Sequence, residues 1–215
     1  MLKIRLFIFS MLFMGVPSIC FSWNSFYGRV KFVPDGDTIV LKSGKVVRYI
    51  GIDCPEINFG KGDPQLFSKE ARDFNKRLTY GKKLKIITGK TKRDRYHRIL
   101  AYVYLPDGRM VNSEILRKGL GFFYFHKDNK KKSKEFLDIQ NQAISEHTGI
   151  WAFLEHSSKA VIGNKRSMRF HSLDCRYGKK IYFKNKIRFS YPLEAFKKGF
   201  SPARKCIPDI YRFSR

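Results

Sequence analysis

The chain has 215 residues, with 44 Lys or Arg against 18 Asp or Glu, a formal net charge of +26 at pH 7. A hydrophobic content of 43% excludes a chain without a core, and the length allows one large domain or a medium one with a small companion. The charge sets up a field that draws in polyanions, so nucleic acid, an anionic membrane surface and an acidic glycan all remain candidate partners.

Residues 1–22 read as a secretory signal. Lys3 and Arg5 open it, Leu6 to Met14 is apolar, Pro17 breaks the run, and Cys20-Phe21-Ser22 sets up cleavage after Ser22. The alternative is an uncleaved anchor, although the uncharged stretch is short of the roughly 20 apolar residues a span needs. Bulky Ile19 argues against lipid attachment at Cys20. The expectation is therefore an exported protein, secreted or periplasmic, with no stable membrane insertion after cleavage.

Trp23 to Gly28 is a short lead-in. Alternation predicts strands over Arg29–Val33, Thr38–Leu41, Val46–Ile52, Leu84–Thr88 and Ile99–Leu105. Asn58 to Asp63 reads as an exposed loop, with Pro64 in the first turn of the following helix. Phe67, Ala71, Phe74 and Leu78 give that helix its buried stripe, and Gly81 ends it. Val111 to Lys118 forms a second helix. Asp128 is placed to cap a third, running to about Ser145 with Phe136, Ile139 and Ala143 inward. The pattern gives an α+β protein whose first half is mainly β. The character changes near residue 155, so the expected units are 23–154 and a small basic module over 155–215.

The stretch from Asp35 to Glu56 carries the chemistry. A hairpin folds Asp37 and Asp53 toward each other. Converging carboxylates in a basic protein call for a hard cation, since they cannot otherwise both stay ionised. A buried Asp53–Arg48 pair is the plain alternative, and Asp35 reads mainly as a turn residue. Glu56 follows Asp53 after the stiffening Pro55, in reach of an attacking water. Arg48 and Arg98 offer planar forks for phosphate oxygens. Tyr124, within the aromatic run Phe122 to Phe125, can stack a base or simply join a strand. The lysines from Lys127 to Lys134 suit nonspecific phosphate contact or a solvated helix face.

Asp35-Gly-Asp-Thr38, then Arg48 with Asp53-Cys-Pro-Glu56, then Arg93-Asp-Arg-Tyr-His-Arg98 together resemble the staphylococcal nuclease family. The resemblance runs from about Tyr27 to Trp151 and includes Gly108 to Asn112 and Gly149-Ile-Trp151. It implies a five-stranded OB-fold barrel with about three helices. It also implies Ca²⁺ held by Asp37, Asp53 and the Cys54 backbone carbonyl. Arg48, Glu56 and Arg98 would be catalytic, with Arg95 and Tyr96 on a terminal phosphate. The implied activity is hydrolysis of DNA and RNA to 3′-phosphate ends; the rival is a silent barrel that only binds nucleic acid. No protein partner is indicated. Three positions depart from the family pattern: Cys54 replaces threonine, Arg95 replaces lysine and His97 replaces glycine.

The C-terminal segment resembles the small Cys-rich, zinc-type module that follows many bacterial nuclease domains. Ala203 stands where the first cysteine of its closing pair would be, so His171, Cys175 and Cys206 leave a structural zinc one ligand short. A Cys175–Cys206 disulfide is the preferred reading, worth roughly 3 kcal/mol to so small a core, with a bound metal as the alternative.

Overall fold

The computed structural model describes residues 25–57, 64–154, 159–204 and 206. The expected signal over 1–22 and the loop over 58–63 lie outside these residues. Five strands close a barrel: β1 (Ser25–Asp35), β2 (Thr38–Leu41), β3 (Val46–Tyr49), β5 (Lys83–Arg93) and β6 (Ile99–Tyr104). They are joined in the order β1-β2-β3-β6-β5, and β1 and β5 pair to complete the ring. Only the β3–β6 pairing is parallel within the barrel. Its inward side chains include Val30, Ile39, Leu41, Val47, Leu84, Ile86, Ala101 and Val103, all nearly sealed from solvent. Burying each such side chain contributes about 1.5–3 kcal/mol, which fixes the register because a slip of one residue would turn them outward.

The third strand stops earlier than expected. Gly51 adopts φ +78, a left-handed turn that ordinary side chains resist. The chain swings out of the barrel sheet there and restarts as β4 (Ile52–Asp53). β4 pairs with β7 (Phe122–Phe123), which puts Asp53 opposite Phe122. The aromatic run thus serves first as the strand that holds Asp53.

Two helices brace this region. α1 (Ser68–Thr79) brings Asn75, fully buried, to the Asp35–Thr38 turn. Tyr49 Oη donates to Asn75 Oδ1 at 2.8 Å, and Asn75 Nδ2 donates to the Asp35 carbonyl at 3.0 Å. α2 (Val111–Arg117) presents Asn112, whose Nδ2 donates to the Ile50 carbonyl at 2.9 Å while its Oδ1 accepts from Val103 N–H at 3.0 Å. A buried amide so paired contributes about 1 kcal/mol per bond, and an unpaired one would cost more. These two amides lock the turn before Asp37 and the bend before Asp53.

Two helix starts differ from expectation. α1 begins at Ser68, after Phe67 in left-handed conformation (φ 64), so Pro64 precedes the helix rather than opening it. α3 (Ser133–Ser145) begins five residues after Asp128 and has no side-chain cap. Tertiary bonds claim the intervening segment: Thr91 Oγ1 donates to Asp128 Oδ2 at 3.3 Å, and Tyr102 Oη donates to the Asn129 carbonyl at 3.0 Å.

After the short α4 (Trp151–Leu154), the C-terminal segment folds as a second sheet. β8 (Val161–Asn164), β9 (Arg169–Ser172), β10 (Lys186–Phe189) and β11 (Ser201–Pro202) run in the order β10-β8-β9-β11, with α5 (Arg176–Lys179) and α6 (Pro192–Lys197) in its connections. Phe196 of α6 is the keystone. Its ring meets Phe122, Trp151 and Phe170 at centroid distances of 5.3, 5.1 and 5.2 Å. Gln140 of α3 adds a polar tie, accepting from Phe123 N–H at 2.6 Å and donating to the Phe196 carbonyl at 2.8 Å. The second core is therefore built from both sides of residue 155, and the module is packed onto β7, the partner of Asp53. Among the described residues no helix is long and apolar enough to cross a membrane.

Candidate active site

Asp37 and Asp53 converge. A single Arg48 nitrogen, Nη2, lies 2.8 Å from Asp37 Oδ2 and 2.6 Å from Asp53 Oδ1. Arg48 Nη1 donates to the Tyr49 and Ile52 carbonyls at 3.1 and 3.0 Å, across the bend that Gly51 makes. The plain alternative, an Asp53–Arg48 pair, is thus present, and Asp37 shares it. In this state the Arg48 guanidinium is engaged by the carboxylates rather than free in the cleft, because they are its nearest anions.

Asp37 is the most enclosed member. Its Oδ2 also accepts the Cys54 N–H at 2.9 Å, and its Oδ1 accepts Thr38 Oγ1 at 3.1 Å. Burial pushes its carboxyl well above the usual range; Arg48 pulls the other way, and Asp35, Asp53 and Glu56 add to the rise. Arg48 feels the converse. Burial opposes its charge, but Asp37 and Asp53 more than offset that and hold it protonated. Asp35 behaves as a turn residue, its Oδ1 accepting the Asp37 N–H at 3.0 Å. The Cys54 thiol is buried, and burial pushes it up, away from the reactive thiolate form.

A cleft of about 630 Å³ opens beside this cluster, lined among others by Arg48, Asp53, Glu56, Arg95, Tyr96, Arg98 and Tyr124. Asp94 organises the loop between β5 and β6. Its Oδ1 accepts Tyr96 N–H at 2.9 Å and Arg98 N–H at 3.0 Å, while Oδ2 takes Arg98 Nε at 2.7 Å. Although partial burial works against it, Arg98 holds the Asp94 carboxyl below its ordinary value. Arg98 is thereby oriented with its other guanidinium nitrogens outside that bond. The Tyr96 ring lies under the Arg95 and Arg98 guanidiniums, 4.7 and 5.4 Å from its centroid. His97 takes a left-handed backbone (φ 62) and is exposed. That conformation accounts physically for the glycine the resemblance expects there.

Tyr124 lines the cleft, but one face of its ring is covered by the Arg169 guanidinium at 3.6 Å. Arg169 Nη2 also donates to the Phe125 carbonyl at 3.1 Å. Glu56 is partly exposed at the cleft edge, its backbone N–H donating to Gln65 Oε1 at 2.6 Å. Cys175 and Cys206 lie away from the cleft walls, joined as a disulfide with Cα atoms 5.6 Å apart. His171 Nδ1 stands 3.4 Å from Cys206 Sγ and 3.5 Å from Cys175 Sγ, so all three groups meet in one place.

One residue of the site had no signal in the sequence. Arg204, from the basic tail, inserts beside the carboxylates: Nη2 is 2.6 Å from Asp53 Oδ1 and Nη1 is 2.7 Å from Glu56 Oε1. Its separation of about 150 residues from both partners left it indistinguishable from its basic neighbours.

The donor set fits a hard cation. Asp35, Asp37, Asp53 and Glu56 all raise the proton affinity at Asp37 or Arg48, and two guanidiniums already serve as counter-charges to Asp37, Asp53 and Glu56. Asp37 and Asp53 oxygens reach a common positive centre, and both are oxygen ligands of the type Ca²⁺ accepts.

A closed five-stranded barrel with carboxylates and guanidiniums beside an open cleft defines a class: an OB-type barrel with a charged surface site. Comparison with known proteins narrows it. Residues 46–153 match the family described as staphylococcal nuclease homologue, and the chain belongs to that family. It is 37% identical over 127 residues to the thermonuclease of Staphylococcus hyicus, covering 58% of this chain and 75% of that one. An uncharacterized endonuclease of Escherichia coli is 35% identical over 139 residues, 61% of this chain and 84% of its own. The SPbeta prophage-derived endonuclease YokF of Bacillus subtilis is 38% identical over 123 residues, 55% of this chain but only 41% of the relative.

Proposed function

We propose that this protein is an exported, Ca²⁺-dependent nuclease that hydrolyses DNA and RNA without reading base sequence and leaves 3′-phosphate ends. The nuclease class follows from family membership. The finer reading is carried by one observation: Asp37 and Asp53 grip the same nitrogen of Arg48, with Glu56 and Arg98 facing the adjoining cleft. Export rests on the charge and apolar pattern of residues 1–22.

Asp37 and Asp53, with the Cys54 carbonyl, would hold the ion. When bound, it supplies positive charge against the phosphate oxygens as charge builds on them. Glu56 holds the attacking water and accepts its proton at a carboxylate oxygen. Water attacks phosphorus and the P–O5′ bond breaks, which leaves phosphate on the 3′ side. Arg48 donates to the non-bridging oxygens, and Arg98 to the departing 5′ oxygen. Arg95 and Tyr96 hold a terminal phosphate. The cleft admits one strand more easily than a duplex, so single-stranded or breathing AT-rich substrate is cut faster. The net charge of +26 concentrates polyanion at the surface without a sequence code.

Plasmid incubated with the protein in Ca²⁺ and in chelator tests this directly. Cleavage in Ca²⁺ alone, with 3′-phosphate on the fragments, is the expected result. Equal cleavage in chelator removes the ion from the mechanism. Binding without cleavage in either condition points to the silent barrel.

A further inference from the structure

Arg204 is not a stray tail residue. β11 pairs in parallel with β9, Ser201 N–H donates to the Met168 carbonyl at 3.0 Å, and Ala203 N–H donates to the Phe170 carbonyl at 2.8 Å. Just beyond it, Cys206 N–H donates to the Ala203 carbonyl at 2.7 Å, and Cys206 is bonded to Cys175. The backbone on both sides of Arg204 is therefore fastened to the C-terminal sheet. That sheet is in turn packed through Phe196 and Gln140 onto β7, which pairs with the strand carrying Asp53. The module presents a guanidinium to Asp53 and Glu56 as a built feature.

Its position has a consequence for ion binding. Asp53 Oδ1 accepts from Arg48 and Arg204 at once, each at 2.6 Å, and Glu56 Oε1 is taken by Arg204. An oxygen so engaged is a poorer ligand, and a positive charge so close repels a second cation. The Arg204 side chain is 54% exposed, so it can leave for water at modest cost. We propose that Arg204 is a resident counter-cation of the ion site, which a divalent ion must displace, so that the C-terminal module sets the ion affinity of the barrel. This rests on the divalent-ion reading of Asp37 and Asp53 given above. It adds a role for the module that the chemistry of hydrolysis does not require.

Calorimetric titration of Ca²⁺ into the metal-free full chain, at fixed ionic strength, tests it without reference to activity. Arg204→Ala is expected to bind Ca²⁺ about 5- to 10-fold more tightly than the wild type, the scale of one lost charge-assisted contact at a half-exposed site. Arg204→Lys, which keeps the charge but not the fork, should fall between them. Matching urea unfolding of the three proteins shows that the fold is unaltered. Equal affinities overturn the proposal, and weaker binding by Arg204→Ala overturns it in the other direction, making Arg204 a helper of the ion. Absence of Ca²⁺ binding by both the wild type and Arg204→Ala refutes the ion site itself, and the proposal falls with it.

Discussion

Replacing Glu56 by glutamine is expected to lower turnover by about 10²–10⁴-fold, the usual worth of a positioned general base, while labelled single strands still bind in Ca²⁺. The geometry explains why binding should survive. Glu56 sits at the cleft edge, and its backbone, not its carboxylate, ties it to Gln65. Glutamine keeps the size, loses the ability to take a proton and gives up the charge that pairs with Arg204. Single-turnover cleavage alongside fluorescence anisotropy separates the two effects. Full activity in Glu56→Gln would take this residue out of the chemistry and leave the water to other groups.

Arg48→Lys should be comparably damaging. Arg48 makes four contacts that no ammonium reproduces together: two backbone carbonyls through Nη1, and Asp37 and Asp53 through Nη2. Lysine supplies a point charge in place of the planar fork. We expect turnover to fall about 10²–10³-fold, the loss found when a donor to developing charge is removed. Some stability should go as well, because Asp37 is buried and an ammonium cannot reach it, Asp53 and the two carbonyls at once. Measuring the melting curve beside the rate distinguishes a folding defect from a catalytic one. A stable Arg48→Lys with near-normal turnover would contradict a role at the phosphate.

The sequence made much of this legible because the decisive parts are local. The β2–β3 hairpin sets Thr38 opposite Arg48, so the nearness of Asp37 to Arg48 follows from pairing rules, whereas Asp53 reaches them through the Gly51 bend and the β4–β7 pair. The barrel strands were readable from alternation, although β1 and β5 run longer than their apolar cores. Ser25 to Arg29 is polar or aromatic by itself and becomes strand only because Lys83 to Ile87 lies beside it. The break at Gly51 was hidden by its apolar neighbours Tyr49, Ile50 and Ile52. Asp128 has the right chemistry for a cap, but Thr91 claims its carboxylate from another element. Tyr124 was legible as an aromatic at the cleft, whereas the Arg169 ring cover was not, since 45 positions separate the two and nothing in either neighbourhood marks the pair. Arg204 was invisible for the same reason in stronger form. In a chain with 44 basic residues, composition cannot say which one turns inward to meet two carboxylates.

Diffraction from crystals of the full chain grown with Ca²⁺ places the ion directly. One ion is expected about 2.3–2.6 Å from carboxylate oxygens of both Asp37 and Asp53, with the Arg48 and Arg204 guanidiniums moved off those oxygens. Both aspartates still clasping Arg48, and calcium bound elsewhere in a protein that cleaves DNA, would contradict it.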